Sequence, residues 1–265
     1  MSFENDYRYF AFSRADRVLT VTLNRPEKFN AIAGDMHREL SRLFYDVAAD
    51  EGSEVIVITG AGQAFSAGGD LDYFEECRRT PALFRQAMRE AKWIVDGLLD
   101  CDKPVICRMN GDAVGLGATI ALFCDVIIAA DTARIGDPHV KVGFVAGDGG
   151  AVIWPQLIGY ARAKQFLLTG DLLTANEARD IGLINFSVPA AELDATVDRW
   201  AKRLASGATL ATRWTKATIN VGLKQLAASM MDIGIAYEGL SGRSDDHGEA
   251  IAAMRERRKP NFARN

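Results

Sequence analysis

Three glycine-rich stretches and three histidines are the residues of this sequence best suited to chemistry. Gly60-Ala61-Gly62-Gln63-Ala64-Phe65 follows a strand-like run, yet it lacks the third glycine of a dinucleotide fingerprint. Ser66-Ala67-Gly68-Gly69-Asp70-Leu71 also intervenes before any helix, so a Rossmann nucleotide site is rejected. Gly115-Leu116-Gly117-Ala118-Thr119 leads into the apolar run Ile120–Phe123, and Gly147-Asp148-Gly149-Gly150 precedes the apolar Ala151-Val152-Ile153-Trp154. Glycines let backbone N–H groups approach a ligand, and free N–H groups at a helix N-terminus stabilise negative charge growing on oxygen. Two such loops converging would make an oxyanion hole, whereas each alone reads better as a tight strand–helix turn. Of the histidines, His37 lies beside the polar Arg38-Glu39 and His247 ends Ser244-Asp245-Asp246, so both are expected at the surface. Asp70 and Asp72 could pair as carboxylates, but Asp70 reads better as a turn or cap residue.

The elements that must hold these residues alternate between strand and helix. Tyr7–Phe12 and Arg17–Leu23 flank the turn-like Ser13-Arg14-Ala15-Asp16 and predict a hairpin. A helix starting near Gly34-Asp35 carries the apolar stripe Met36, Leu40, Leu43, Phe44 and Val47. Val55–Ile58, Pro104–Cys107 and Val126–Ala129 read as buried strands, and Thr80-Pro81 starts a helix running to about Leu99. Beyond Asp148 the pattern turns mainly helical, with a capping box at Thr174-Ala175-Asn176-Glu177 and one later strand at Ile184–Val188. The fold class is α/β, with a core over residues 1–200 and a helical region over 201–265 that packs on the core and on neighbouring subunits. Trp154, Trp214 and Phe166 are expected in the core.

Composition narrows the function. The chain has 265 residues, 48% hydrophobic and 25% charged, with 31 basic against 35 acidic residues and a net charge of −4. No concentrated basic face suits a nucleic-acid backbone, apart from the short Arg255–Lys259 stretch. The four cysteines form no CxxC pair and have no histidine at metal-ligand spacing, so they read as buried thiols in a reducing compartment and no metal is expected. The acidic opening Met1–Asp6 lacks the apolar segment of a secretory signal, and the longest apolar run, Ala118–Ala130, is too short to cross a bilayer. A cytoplasmic protein without membrane or nucleic-acid partners is expected.

Four ordered motifs resemble those of the crotonase, or enoyl-CoA hydratase/isomerase, superfamily. They are Leu23-Asn24-Arg25-Pro26-Glu27-Lys28-Phe29-Asn30-Ala31, Ala64–Leu71, Asn110–Gly117 and Arg257-Arg258-Lys259-Pro260-Asn261-Phe262. The resemblance implies a ββα superhelix with a helical C-terminal trimerisation region, found as homotrimers or hexamers, and an enzyme of fatty-acid type that acts on an acyl-CoA. Coenzyme A would then be part of the substrate, with no separate cofactor. By position, the N–H groups of Gly69 and Leu116 would clamp a thioester carbonyl as it becomes an enolate. Arg25 and Lys28 would lie near the coenzyme phosphates, or be ordinary solvated charges, and Ala67, Asp70, Gly115 and Thr119 would border the substrate.

The departures from the family pattern bear on the reaction. Typical hydratases of the family carry two glutamates at positions that here are Thr119 and His139. A histidine can exchange protons near neutral pH, its reference pKa being about 6.5, whereas a threonine cannot. Asp148, nine positions on, could loop back to orient that ring, or could simply cap the following helix. This His–Asp spacing is similar to the β-diketone hydrolases of the 6-oxocamphor hydrolase type, which implies carbon–carbon cleavage without coenzyme A as an alternative. The missing glutamates leave a third reading, a non-catalytic acyl-CoA- or RNA-binding member.

Overall fold

The computed structural model describes residues 3–262. Residues 1–2 of the acidic opening and 263–265 at the end of the helical region lie outside it. The chain opens with strands β1 (Phe10–Ala15) and β2 (Val18–Leu23), then runs through α1 (Gly34–Ala49), β3 (Val55–Gly60), α2 (Leu71–Arg79) and α3 (Pro81–Asp100). It continues through β4 (Val105–Met109), β5 (Ala113–Val114), α4 (Leu116–Leu122), β6 (Val126–Ala130) and β7 (Arg134–Gly136). The second half holds α5 (Gly150–Thr169), β8 (Leu173–Thr174), α6 (Ala175–Asp180), β9 (Phe186–Val188), α7 (Leu193–Ala205), α8 (Thr209–Ser241) and α9 (Asp245–Glu256).

Six strands form one sheet in the order β1-β2-β3-β4-β6-β9, antiparallel between β1 and β2 and parallel elsewhere. Parallel strands need crossovers, and the intervening helices supply them. All six residues of β3 are buried because both sheet faces are covered. Ile56 and Ile58 face the main core with α1 and α3, while Val55 and Val57 pack on the other face against Leu193, Val197 and Ala201 of α7. Helix α7 thus belongs to the sheet and spans the expected boundary at residue 200, leaving α8 and α9 as the separate helical part. A second sheet, β5-β7-β8, is built from pieces of two or three residues and carries the loops of the site.

Three surroundings differ from the sequence expectation. His37 is buried, because Glu90 of α3 meets its Nδ1 at 2.7 Å and satisfies a ring turned toward the helix interface. His247 is also buried: it stacks on Phe144 at 3.9 Å between ring centres, and its Nδ1–H donates to the Val142 carbonyl at 2.6 Å. Trp214, expected in the core, is 65% exposed on α8. Trp154 is fully buried, and all four cysteines are buried free thiols. Among the described residues, no helix is long and apolar enough to cross a membrane.

Candidate active site

The two glycine loops are zipped together before they meet any ligand. Val114 N–H donates to the Ser66 carbonyl at 2.9 Å, and the N–H groups of Phe65 and Ser66 both donate to the Asp112 carbonyl at 3.1 Å. Gly68 takes φ +83°, and a Cβ there would lie 2.6 Å from the Val114 carbonyl oxygen, so the close approach requires glycine. On the other side, Ile32 N–H donates to the Gly68 carbonyl and Asp70 N–H to the Ile32 carbonyl. This pairing leaves the Gly69 N–H turned away from Ile32. Leu116 begins α4, so its N–H is one of the four that a helix leaves without an intrahelical acceptor. Among the described residues neither N–H has a backbone acceptor. Both residues line one cavity of about 480 Å³.

His139 faces that cavity from a short 3-10 turn, His139–Val142, and is 8% exposed. A Cβ on Gly115 would come within 3.7 Å of its Cε1, which puts the ring beside the second oxyanion loop. Its Nδ1 makes a short hydrogen bond to Asp137 Oδ1, and its Nε2 lies 3.4 Å from Asp148 Oδ2. Asp137 therefore takes the orienting position that the sequence reading gave to Asp148, and Asp148 stands across the ring on the cavity side. Asp148 Oδ1 accepts from the Thr119 hydroxyl at 3.3 Å and the Gly150 N–H favours its carboxylate, while the N-cap position of α5 is taken by Gly149.

Burial disfavours charge on the ring, but Asp137 and Asp148 outweigh it and hold the His139 pKa well above its ordinary value. Asp148 is pushed up, first by burial and then by Asp137, against the opposing pull of His139. Glu238 of α8 completes the cluster at 5% exposure; burial, then the charges of Asp148 and Asp137, push its carboxyl up to about 8. Asp137, His139 and Asp148 present ligand atoms within 4.8 Å of one another. Both ring nitrogens already face carboxylate oxygens, so the group reads as an Asp–His–Asp array, hydrogen-bonded at Nδ1 and charge-paired at Nε2.

The remaining site candidates divide. Lys28 is exposed where it lines the cavity, and Ala67, Asp70 and Gly115 line it as well. Thr119 touches the site only through Asp148. Arg25 does not line the cavity: its Nη1 donates to Asp70 at 2.8 Å and to the Ala31 carbonyl at 2.9 Å, tying the first motif to the first oxyanion loop. Asp70 also caps α2 by accepting from Asp72 N–H. The sequence reading missed Asp137 and Glu238. The run Gly136-Asp137-Pro138-His139 held a local signal for the first, since a carboxylate two residues before a histidine can turn back onto the ring. For Glu238 no local signal existed, because α8 reaches the site only through tertiary packing.

The profile of the enoyl-CoA hydratase/isomerase family matches residues 13–265. The 1,2-epoxyphenylacetyl-CoA isomerase of Escherichia coli K12 is 34% identical over 256 residues, 96% of this chain and 98% of that one. The crystal structure of an enoyl-CoA hydratase/isomerase from Mycobacterium paratuberculosis superposes with a TM-score of 0.89 at 33% identity, covering 92% of this chain and 97% of the other. A β-diketone hydrolase from Anabaena sp. PCC 7120, bound to (S)-3-oxocyclohexyl acetic acid, superposes with a TM-score of 0.85 at 29% identity over 92% of this chain and 97% of its own.

Proposed function

The chain belongs to the enoyl-CoA hydratase/isomerase family, and on that premise we propose that it acts on an enoyl-CoA or related acyl-CoA thioester through an enolate. The observation that carries this reading is the shared cavity, in which the unused N–H groups of Gly69 and Leu116 meet His139 and Asp148, with Asp137 behind the ring. The two N–H groups polarise the thioester carbonyl and take up charge as it becomes an enolate. Asp137 fixes the proton on Nδ1, leaving Nε2 as the nitrogen that faces the reaction. Nε2 and Asp148 Oδ2 lie 3.4 Å apart beside the cavity, close enough for one water in the cavity to contact both from the same side. As that water adds to the β carbon, its proton passes to the Asp148 carboxylate of the His139–Asp148 pair. Lys28, exposed at the cavity, is placed to meet a coenzyme A phosphate, whereas Arg25 serves the loop that the substrate contacts.

The expected protein is a trimer or hexamer in the cytoplasm. The exposed apolar residues of α8, among them Trp214, Ile219, Ile233 and Leu240, support packing between subunits. Incubation with crotonyl-CoA tests the reaction: hydration is expected in the wild type, and His139→Ala should lose turnover by about 100-fold or more while still folding. The array itself favours a second reading, hydrolytic cleavage of a cyclic β-diketone with the same water and the same oxyanion hole. Turnover of such a diketone together with no turnover of any CoA ester would select it.

A further inference from the structure

We propose that Glu238 is the catalytic acid that protonates the enolate at its α carbon, because its carboxyl lines the oxyanion cavity with one oxygen buried and unpaired. The proposal rests on the enolate reading above. His139, Asp148 and Glu238 are the buried ionisable groups of the cluster that reach the cavity, and the first two already hold each other and Thr119. Asp137 does not line it, and its free Oδ2 is walled off: a Cβ on Gly150 would come within 2.1 Å of it. Glu238 Oε2 lies close against the Gly147 backbone, 2.9 Å from where a Cβ would sit, so the glycine leaves space for the carboxyl.

The surroundings keep this carboxyl neutral. From the 3-10 turn and its flank His139 and Asp137 act on it, and from the loop before α5 Asp148 does. From α3 the apolar ring of Phe84 packs near the Gly239 and Gly242 positions of α8. Arg85, Arg89 and Arg243 line a separate cleft that contains Phe84 but not Glu238. The Ser241 hydroxyl donates to the Glu238 backbone carbonyl and accepts from Val145 N–H, so it does not bond the carboxyl. Three carboxyl groups thus share one imidazole, and the arrangement is stable when one of them carries a proton.

The step balances on one water. Its O–H bond breaks toward the His139–Asp148 pair as the C–O bond forms at the β carbon. The enolate electron pair then takes the Glu238 proton to form the C–H bond at the α carbon, and the proton held by the pair returns to Glu238. The missing family glutamates at Thr119 and His139 would in this way be replaced by carboxyl groups from other elements.

Glu238→Gln keeps the shape and hydrogen-bonding capacity of the side chain but removes the transferable proton. With crotonyl-CoA, kcat should fall about 100-fold or more with KM little changed. The wild-type kcat should decline as pH rises through about 8, and that decline should vanish in the variant. A wild type inactive on every CoA ester would overturn the thioester reaction itself. An active wild type with an unimpaired Gln variant would overturn the donor alone. If the variant does not fold, the wild type still decides: a kcat flat across about pH 8 contradicts the proposal.

Discussion

At His139 burial works against the imidazolium, and two aspartates work for it. Its raised pKa means that the stabilisation from the charged ring is fully present below the unfolded value of about 6.5 and is lost as pH rises through the folded value. Removing one charge should move that limit. Asp137→Asn is expected to shift the His139 ring titration to lower pH and to lower kcat about 100-fold or more, since an amide no longer fixes the Nδ1 proton. Ring NMR titration and steady-state kinetics check the two effects, and an unchanged titration would return Asp137 to a turn residue. The same sign applies at Glu238, where the raised pKa favours the neutral group and the folded state loses stability as pH climbs from the usual carboxyl value toward about 8. Thermal unfolding of Glu238→Gln should therefore match the wild type near pH 5 and exceed it by several degrees near about pH 9. A gain independent of pH would point to packing rather than charge.

The elements were legible where their patterns were long. The apolar stripe of α1 and the continuous apolar run of β3 follow from helical spacing and from coverage on both faces. At the hairpin the expected turn at Ser13–Asp16 yields to a strand that runs to Ala15, with Asp16 at φ 54° making the tight reversal. Strands β5, β7 and β8 were invisible in the sequence because two or three residues carry no period. They matter all the same, since β5 holds the second oxyanion loop against the first. Gly68→Ala tests that joint: the added methyl must push against the Val114 carbonyl at a positive φ, which should cost about 2–4 kcal/mol and abolish turnover. Chemical denaturation and activity measure the two losses, and a fully stable, active variant would show that the loops need no such contact.

Over the whole molecule, the sequence disclosed the two glycine loops and His139 as residues of one site, because these are local motifs. It did not disclose the charge balance of the site, which depends on burial and on a glutamate brought from α8 some hundred positions away. Burial likewise decided His37 and His247, whose polar neighbours in the chain suggested a surface and whose partners lie on other elements. Sheet, loops and C-terminal helix converge on one cavity, where the proposed chemistry is stabilisation of an enolate with proton transfer around it. The most direct test of that claim is the hydration of crotonyl-CoA, followed as loss of the enoyl absorbance, with wild type and His139→Ala measured side by side. Hydration by the wild type and a loss of about 100-fold or more in the variant are expected; no hydration by either, or equal rates in both, would contradict it.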